Sequence, residues 1–133
     1  MSPGADADVF PALKQLSART PGLDLLMLFG SRARGDAHDA SDWDFGYLAS
    51  AEIDYPALLA AIVTTVCADR VDLVDLSRAS GLLRYRAARD GVVIFEARPR
   101  PSEAFRLDAL DFWCDAGPLL QQGYRAVLAE LDR

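Results

Sequence analysis

Residues 28–48, "LFGSRARGDAHDASDWDFGYL", decide the fold. The segment opens on the end of an apolar run, passes through a Gly-Ser step and a polar connection, and closes on an alternating pattern. "LDLLMLF" (23–29) is short, nearly all apolar and closed by Gly30, the pattern of a buried strand. "DWDFGYLA" (42–49) alternates with period two. As a strand it places Asp42, Asp44 and Gly46 on one face and Trp43, Phe45 and Tyr47 on the other.

Working outward, Phe10, Leu13 and Leu16 recur at helical spacing, predicting a helix over 6–19 stopped by Pro21 and Gly22. "YPALLAAIVTTVCAD" (55–69) reads as a helix with Asp54 as N-cap and Pro56 in the first turn. "VDLVDL" follows as a third strand, "SGLLRYRAARDG" as a short helix ended by Gly91, and "VVIFEA" as a fourth strand. "RPRP" breaks the chain at 98–101, and two helical pieces separated by "DAGP" complete it. Strands alternating with helices specify an α/β fold, a small sheet covered by helices. The final segment, about 102–133, carries more apolar surface than one thin layer needs. It reads equally as a helix lying over the sheet or, in part, as a partner face.

The chain has 133 residues, 51% of them hydrophobic and 26% charged, which suits one folded domain and excludes a disordered or fibrous chain. Its net charge of −6 argues against general nucleic-acid binding, which requires a surplus of Lys and Arg. Cys67 and Cys114 form neither a zinc pattern nor a disulfide framework. Neither a signal peptide nor a membrane-length apolar stretch is visible, and a cytoplasmic location is the expectation.

Three groups of residues carry chemistry. Asp42 and Asp44, about 6.5 to 7 Å apart along one strand face, can converge on a hard cation, or else form a solvated edge. Gly30 permits close backbone approach, and Ser31 opens a short helix whose free N–H groups suit an anion; an ordinary N-cap is the competing reading. Asp72 lies inside an apolar strand, where an unpaired carboxylate is costly, and is favoured over Asp75, for which capping the next turn suffices. Arg32 and Arg34 are expected to pair with Asp36, Asp39 or Asp42, with steering of an anionic ligand the other possibility. Arg84, Arg86 and Arg89 read as a solvated helix face, with a ligand or partner contact as the alternative. His38, the single histidine, lacks companions for a zinc site.

Gly30-Ser31, ten intervening residues, then Asp42-Trp43-Asp44 resembles the GS-x10-D-x-D motif of the polymerase β-like nucleotidyltransferases. With "VDLVDL" and "LLRYRAARDGVVIFE", the chain is similar to the minimal nucleotidyltransferase (MNT) antitoxins of HEPN/MNT toxin–antitoxin pairs. Trp43 and Phe45 depart from the small aliphatics more usual there, on the face away from the carboxylates. The resemblance implies a small mixed sheet covered by helices, with a C-terminal helical segment, as a single domain with its core at about 6–97. It implies that Asp42, Asp44 and Asp72 hold two Mg²⁺ ions and that Gly30 and Ser31 bind phosphates. It further implies transfer of AMP from ATP to a tyrosine hydroxyl of a HEPN ribonuclease toxin, with release of pyrophosphate. A purely binding antitoxin and a small-molecule nucleotidyltransferase are the competing readings, and the latter would call for a drug-binding domain that the chain has no room for.

Overall fold

The structure is a computed structural model and describes residues 9–30, 33, 42–68, 70–99 and 101–131. Helix α1 (Phe10–Ala18) carries Pro11 in its first turn, and Gly22, at φ +87°, turns the chain into β1 (Leu23–Phe29). Strand β2 (Trp43–Ala49) leads to α2 (Tyr55–Val66), β3 (Val71–Asp75), α3 (Gly81–Asp90), β4 (Val92–Glu96), α4 (Pro101–Asp115) and α5 (Pro118–Leu131). The sheet order is β3-β2-β1-β4: β1 pairs antiparallel with both β2 and β4, while α2 carries the chain over to make β3 parallel to β2.

The central position of β1 explains the apolar run Leu25–Phe29 that follows Asp24. Leu26 and Leu28 face one side, packing with Leu13 of α1, Phe45, and Leu58 and Ile62 of α2. Leu25, Met27 and Phe29 face the other, against Leu76, Ala87 of α3 and Phe105 of α4. A strand covered on both faces needs apolar side chains at every position. The alternation in β2 is realised as read: Trp43, Phe45 and Tyr47 are buried with α1 and α2, the first two stacked at 5.9 Å with planes 6° apart. Gly46 faces the other way, where an added Cβ would come within 2.7 Å of Leu76.

Caps set the helix ends. Asp54 accepts from the Ala57 N–H at 3.2 Å, and Ser80 accepts from the Leu83 N–H at 3.2 Å. Helix α2 stops three residues before the predicted end, because Cys67 takes a left-handed conformation (φ 53°) and its N–H closes on the Val63 carbonyl.

The C-terminal segment does lie over the core. Phe105, Ala109 and Trp113 of α4 are buried, and Trp113 stacks on Tyr85 of α3 at 4.1 Å and 9°. Tyr124 of α5 adds tilted ring contacts to Phe112 and Trp113. Leu107, Leu110, Leu119 and Leu120 nevertheless stay exposed. Among the described residues, no helix is long and apolar enough to cross a membrane.

Candidate active site

The site forms where β1 ends and where β2 and β3 begin. Phe29, the last residue of β1, is the ladder partner of Asp44, and Asp44 is the ladder partner of Asp72 on the other side. Neighbouring strands run about 4.8 Å apart, so equal register aligns these two carboxylates side by side on one face of the sheet. Asp44 is half-buried and Asp72 exposed. Burial, the Asp72 charge and the Asp42 charge all raise the Asp44 pKa, as does a hydrogen bond to Asp72; the Arg86 guanidinium lowers it.

Gly30 is buried at φ +77°, and a Cβ there would lie 2.5 Å from the Asp44 Oδ2 atom. Both the backbone conformation and the missing side chain are therefore required for the turn to pass over the carboxylate. Ser31, Arg32, Arg34, Asp36, His38 and Asp39 lie outside the described residues. Asp42 immediately precedes β2 and contributes to the field at Asp44, with its own carboxylate 3.9 Å from the exposed Arg70 guanidinium. Asp75 is turned away from this group. It accepts from the Ser77 backbone N–H at 3.0 Å and from the Ser77 hydroxyl at 2.7 Å, the capping role that its place at the strand end predicts.

A cavity of about 300 Å³ opens beside the pair, lined by Phe29, Asp44, Tyr55, Asp72, Leu83 and Arg86 among others. Tyr55 fixes its edge by donating its hydroxyl to the Leu73 carbonyl at 2.7 Å. A larger cavity of about 530 Å³, lined by Tyr47, Glu52, Asp75 and Arg78, lies towards the other ends of β2 and β3 and includes neither Asp44 nor Asp72. We place the chemistry in the smaller one, because it holds the converging carboxylates.

The α3 arginines correct one expectation. Arg84 and Arg86 are half-buried, not solvated: Arg84 lies over the Phe105 ring at 5.6 Å and faces Asp108 at 3.7 Å, and Arg86 lies over the Phe29 ring at 6.0 Å. Arg89 is exposed and pairs with Asp90 at 2.7 Å. Sequence reasoning thus underrated Arg86, and it did not single out Tyr55 or Leu83 as lining the cavity. The available signal was the interleaving of Arg with Leu and Tyr in "LLRYRAARD", which is not the pattern of a purely solvated face.

The donor set fits a divalent cation. Hard oxygen ligands converge from adjacent strands, and the carboxylate repulsion that raises Asp44 is what a cation would relieve. Among the described residues, no group of three or more His, Cys, Asp or Glu side chains is yet arranged to hold a metal ion. The fold pairs Asp44 with Asp72, while Asp42 is drawn to Arg70.

A mixed four-stranded sheet with a Gly turn aimed at paired strand carboxylates is the arrangement of a nucleotidyltransferase. The family model for "Polymerase beta, Nucleotidyltransferase" matches residues 12–100, and the chain belongs to that family. Nucleotide substrates and divalent metal are general to it. Over 100 residues the chain is 36% identical to the protein adenylyltransferase MntA of Aphanizomenon flos-aquae, covering 63% of this chain and 67% of that protein. Over 81 residues it is 37% identical to the protein adenylyltransferase MntA of Shewanella oneidensis, covering 59% of this chain and 58% of the relative. Among solved structures, it matches a chain of a crystal structure of "the toxin-antitoxin with AMP-PNP" at TM-score 0.65 and 26% identity, covering 95% and 98% of the two chains. A second match, to a Y104A mutant of a "toxin-antitoxin MntA-HpeT" structure, has TM-score 0.64 and 26% identity over 92% and 96%.

Proposed function

We propose that this chain is a protein adenylyltransferase acting as an antitoxin, which transfers AMP from ATP to a tyrosine hydroxyl of a cognate HEPN toxin. The observation that carries the reading is the Asp44–Asp72 pair beneath the Gly30 turn, in a family member whose relatives are named protein adenylyltransferases. The match to a toxin–antitoxin structure with AMP-PNP supports both the nucleotide and the class of partner.

In this reading Asp42, Asp44 and Asp72 hold Mg²⁺, two ions in the fully loaded site. Bound there, the metal supplies charge neutralisation to the triphosphate and to the developing oxyanion. The residues do the rest. Gly30 brings bare backbone to the phosphates, and Ser31, next in sequence, is the second phosphate binder. The Asp72 carboxylate, exposed at the cavity mouth, takes the proton of the incoming tyrosine hydroxyl. The tyrosine oxygen then bonds to the α-phosphorus as the bond to the β-phosphate oxygen breaks, and pyrophosphate leaves. Phe29, Leu83 and Tyr55 line the cavity beside the two carboxylates. We also read residues 1–133 as one unit working in the cytoplasm. The burial of Phe105 and Trp113 supports that unity by joining α4 to the core.

The test is to incubate the chain with α-labelled ATP, Mg²⁺ and its cognate HEPN-type toxin. Label should appear on a toxin tyrosine, and toxin ribonuclease activity should fall in parallel. Inhibition of the toxin without any transfer of label would overturn the enzymatic reading in favour of a binding antitoxin.

A further inference from the structure

Arg86 occupies a distinctive place on α3. It lines the same cavity as Asp44 and Asp72, and its guanidinium lies 6.0 Å from the centre of the Phe29 ring. Phe29 immediately precedes Gly30 and is the ladder partner of Asp44, so Arg86 is held at the junction of the glycine turn and the carboxylate pair. A guanidinium resting on an aromatic face is oriented by that contact, and its planar N–H edges suit two phosphate oxygens at once.

We propose that Arg86 is a phosphate-binding residue of the nucleotide site, contacting the ATP triphosphate where it passes from the Gly30 turn towards Asp44 and Asp72. The inference rests on the reading of the site as a nucleotide site. Beside the Asp44 and Asp72 carboxylates, Arg86 acts as a counter-charge. With those carboxylates committed to a cation, the same guanidinium faces the anionic substrate. Arg84, two residues earlier, points instead to Phe105 and Asp108, outside this cavity. It therefore serves as an internal control on the same helix.

Calorimetric titration of ATP with Mg²⁺ into the full chain tests the proposal. Arg86→Gln should bind ATP roughly tenfold to a hundredfold more weakly, the loss for a charge-assisted hydrogen bond. Arg86→Lys, which keeps the charge but loses the fork, should fall between the two. Arg84→Gln should bind as the parent does. Adenosine binding should be unchanged in Arg86→Gln, because a phosphate contact is absent from that ligand; a structural defect would weaken both. If Arg86→Gln is poorly folded, Arg86→Lys carries the test alone. ATP affinity within about twofold of the parent for the folded Arg86 variants would overturn the proposal. Failure of the parent chain itself to bind ATP would instead overturn the underlying nucleotide-site reading.

Discussion

Asp44 and Asp72 are ladder partners across the parallel β2–β3 pair, and the Asp72 charge is second only to burial in raising the Asp44 pKa. The fold therefore holds two like charges together at a half-buried position, a conflict that stability alone would remove. Charge repulsion retained in this way is characteristic of a site built for a cationic ligand.

Asp44→Asn should accordingly be both inactive and more stable. In the folded protein the Asp44 pKa lies above its unfolded value, so the folded state holds this proton more tightly. The ionised carboxylate then opposes folding at neutral pH, and that opposition fades as pH falls through the raised pKa. Thermal unfolding without divalent metal should give a higher Tm for Asp44→Asn than for the parent at pH 7, with the gap closing on acidification. Mg²⁺ should raise the Tm of the parent and leave the variant unmoved, and AMP transfer should fall by roughly 10²–10³-fold. A lower Tm for the metal-free variant at pH 7 would contradict the repulsion argument.

Asp72→Asn and Asp75→Asn separate site from scaffold. The two residues lie three apart on β3 and so face opposite sides of the sheet. Asp72→Asn should lose transfer with its fold intact. Asp75→Asn weakens the cap on Ser77 and the ion pair with Arg78, costing about 1 kcal/mol, and should transfer AMP at the parent rate at 25 °C. Equal loss of activity in both variants would remove the assignment of Asp72.

Much of this organisation is legible in the sequence because the relevant signals are local. The short, nearly all-apolar segment 23–29 closed by Gly30 reads as a buried strand, and the parity of β2 separates Trp43 and Phe45 from Asp44 without any tertiary information. The same parity distinguishes Asp72 from Asp75. What escaped depends on contacts between distant segments. The burial of Arg86 follows from Phe29 meeting α3, and Tyr55, at the start of α2, joins the cavity through its bond to Leu73 in β3. The early end of α2 depends on a left-handed backbone at Cys67, a residue type that gives no warning of one.

Phe45→Ala tests the separation of core from chemistry. Its side chain is fully buried between α1, α2 and the sheet, on the face opposite Asp44, and its loss should cost about 3–5 kcal/mol through lost burial and a residual cavity. Denaturant unfolding should show that loss as a lower midpoint. Per folded molecule, ATP affinity and transfer should match the parent, since no atom of Phe45 lines the cavity at Asp44. A large drop in ATP affinity at temperatures where the variant is fully folded would mean that packing on this face positions the carboxylates.

Gly30→Ala should disturb the carboxylate pair through a single added methyl. Two independent costs meet at this position. A left-handed backbone costs an L-residue about 1–2 kcal/mol, and the new Cβ would lie 2.5 Å from the Asp44 Oδ2 atom. Asp44 can escape the clash by rotating, which relieves the steric cost but moves the carboxylate away from Asp72. The two outcomes separate experimentally. Unfolding midpoints should report only the backbone penalty, whereas Mg²⁺-dependent stabilisation should be lost because the carboxylates no longer converge. Full Mg²⁺ stabilisation and transfer in Gly30→Ala alone would show that the turn does not need to pass over Asp44 as closely as the structure places it.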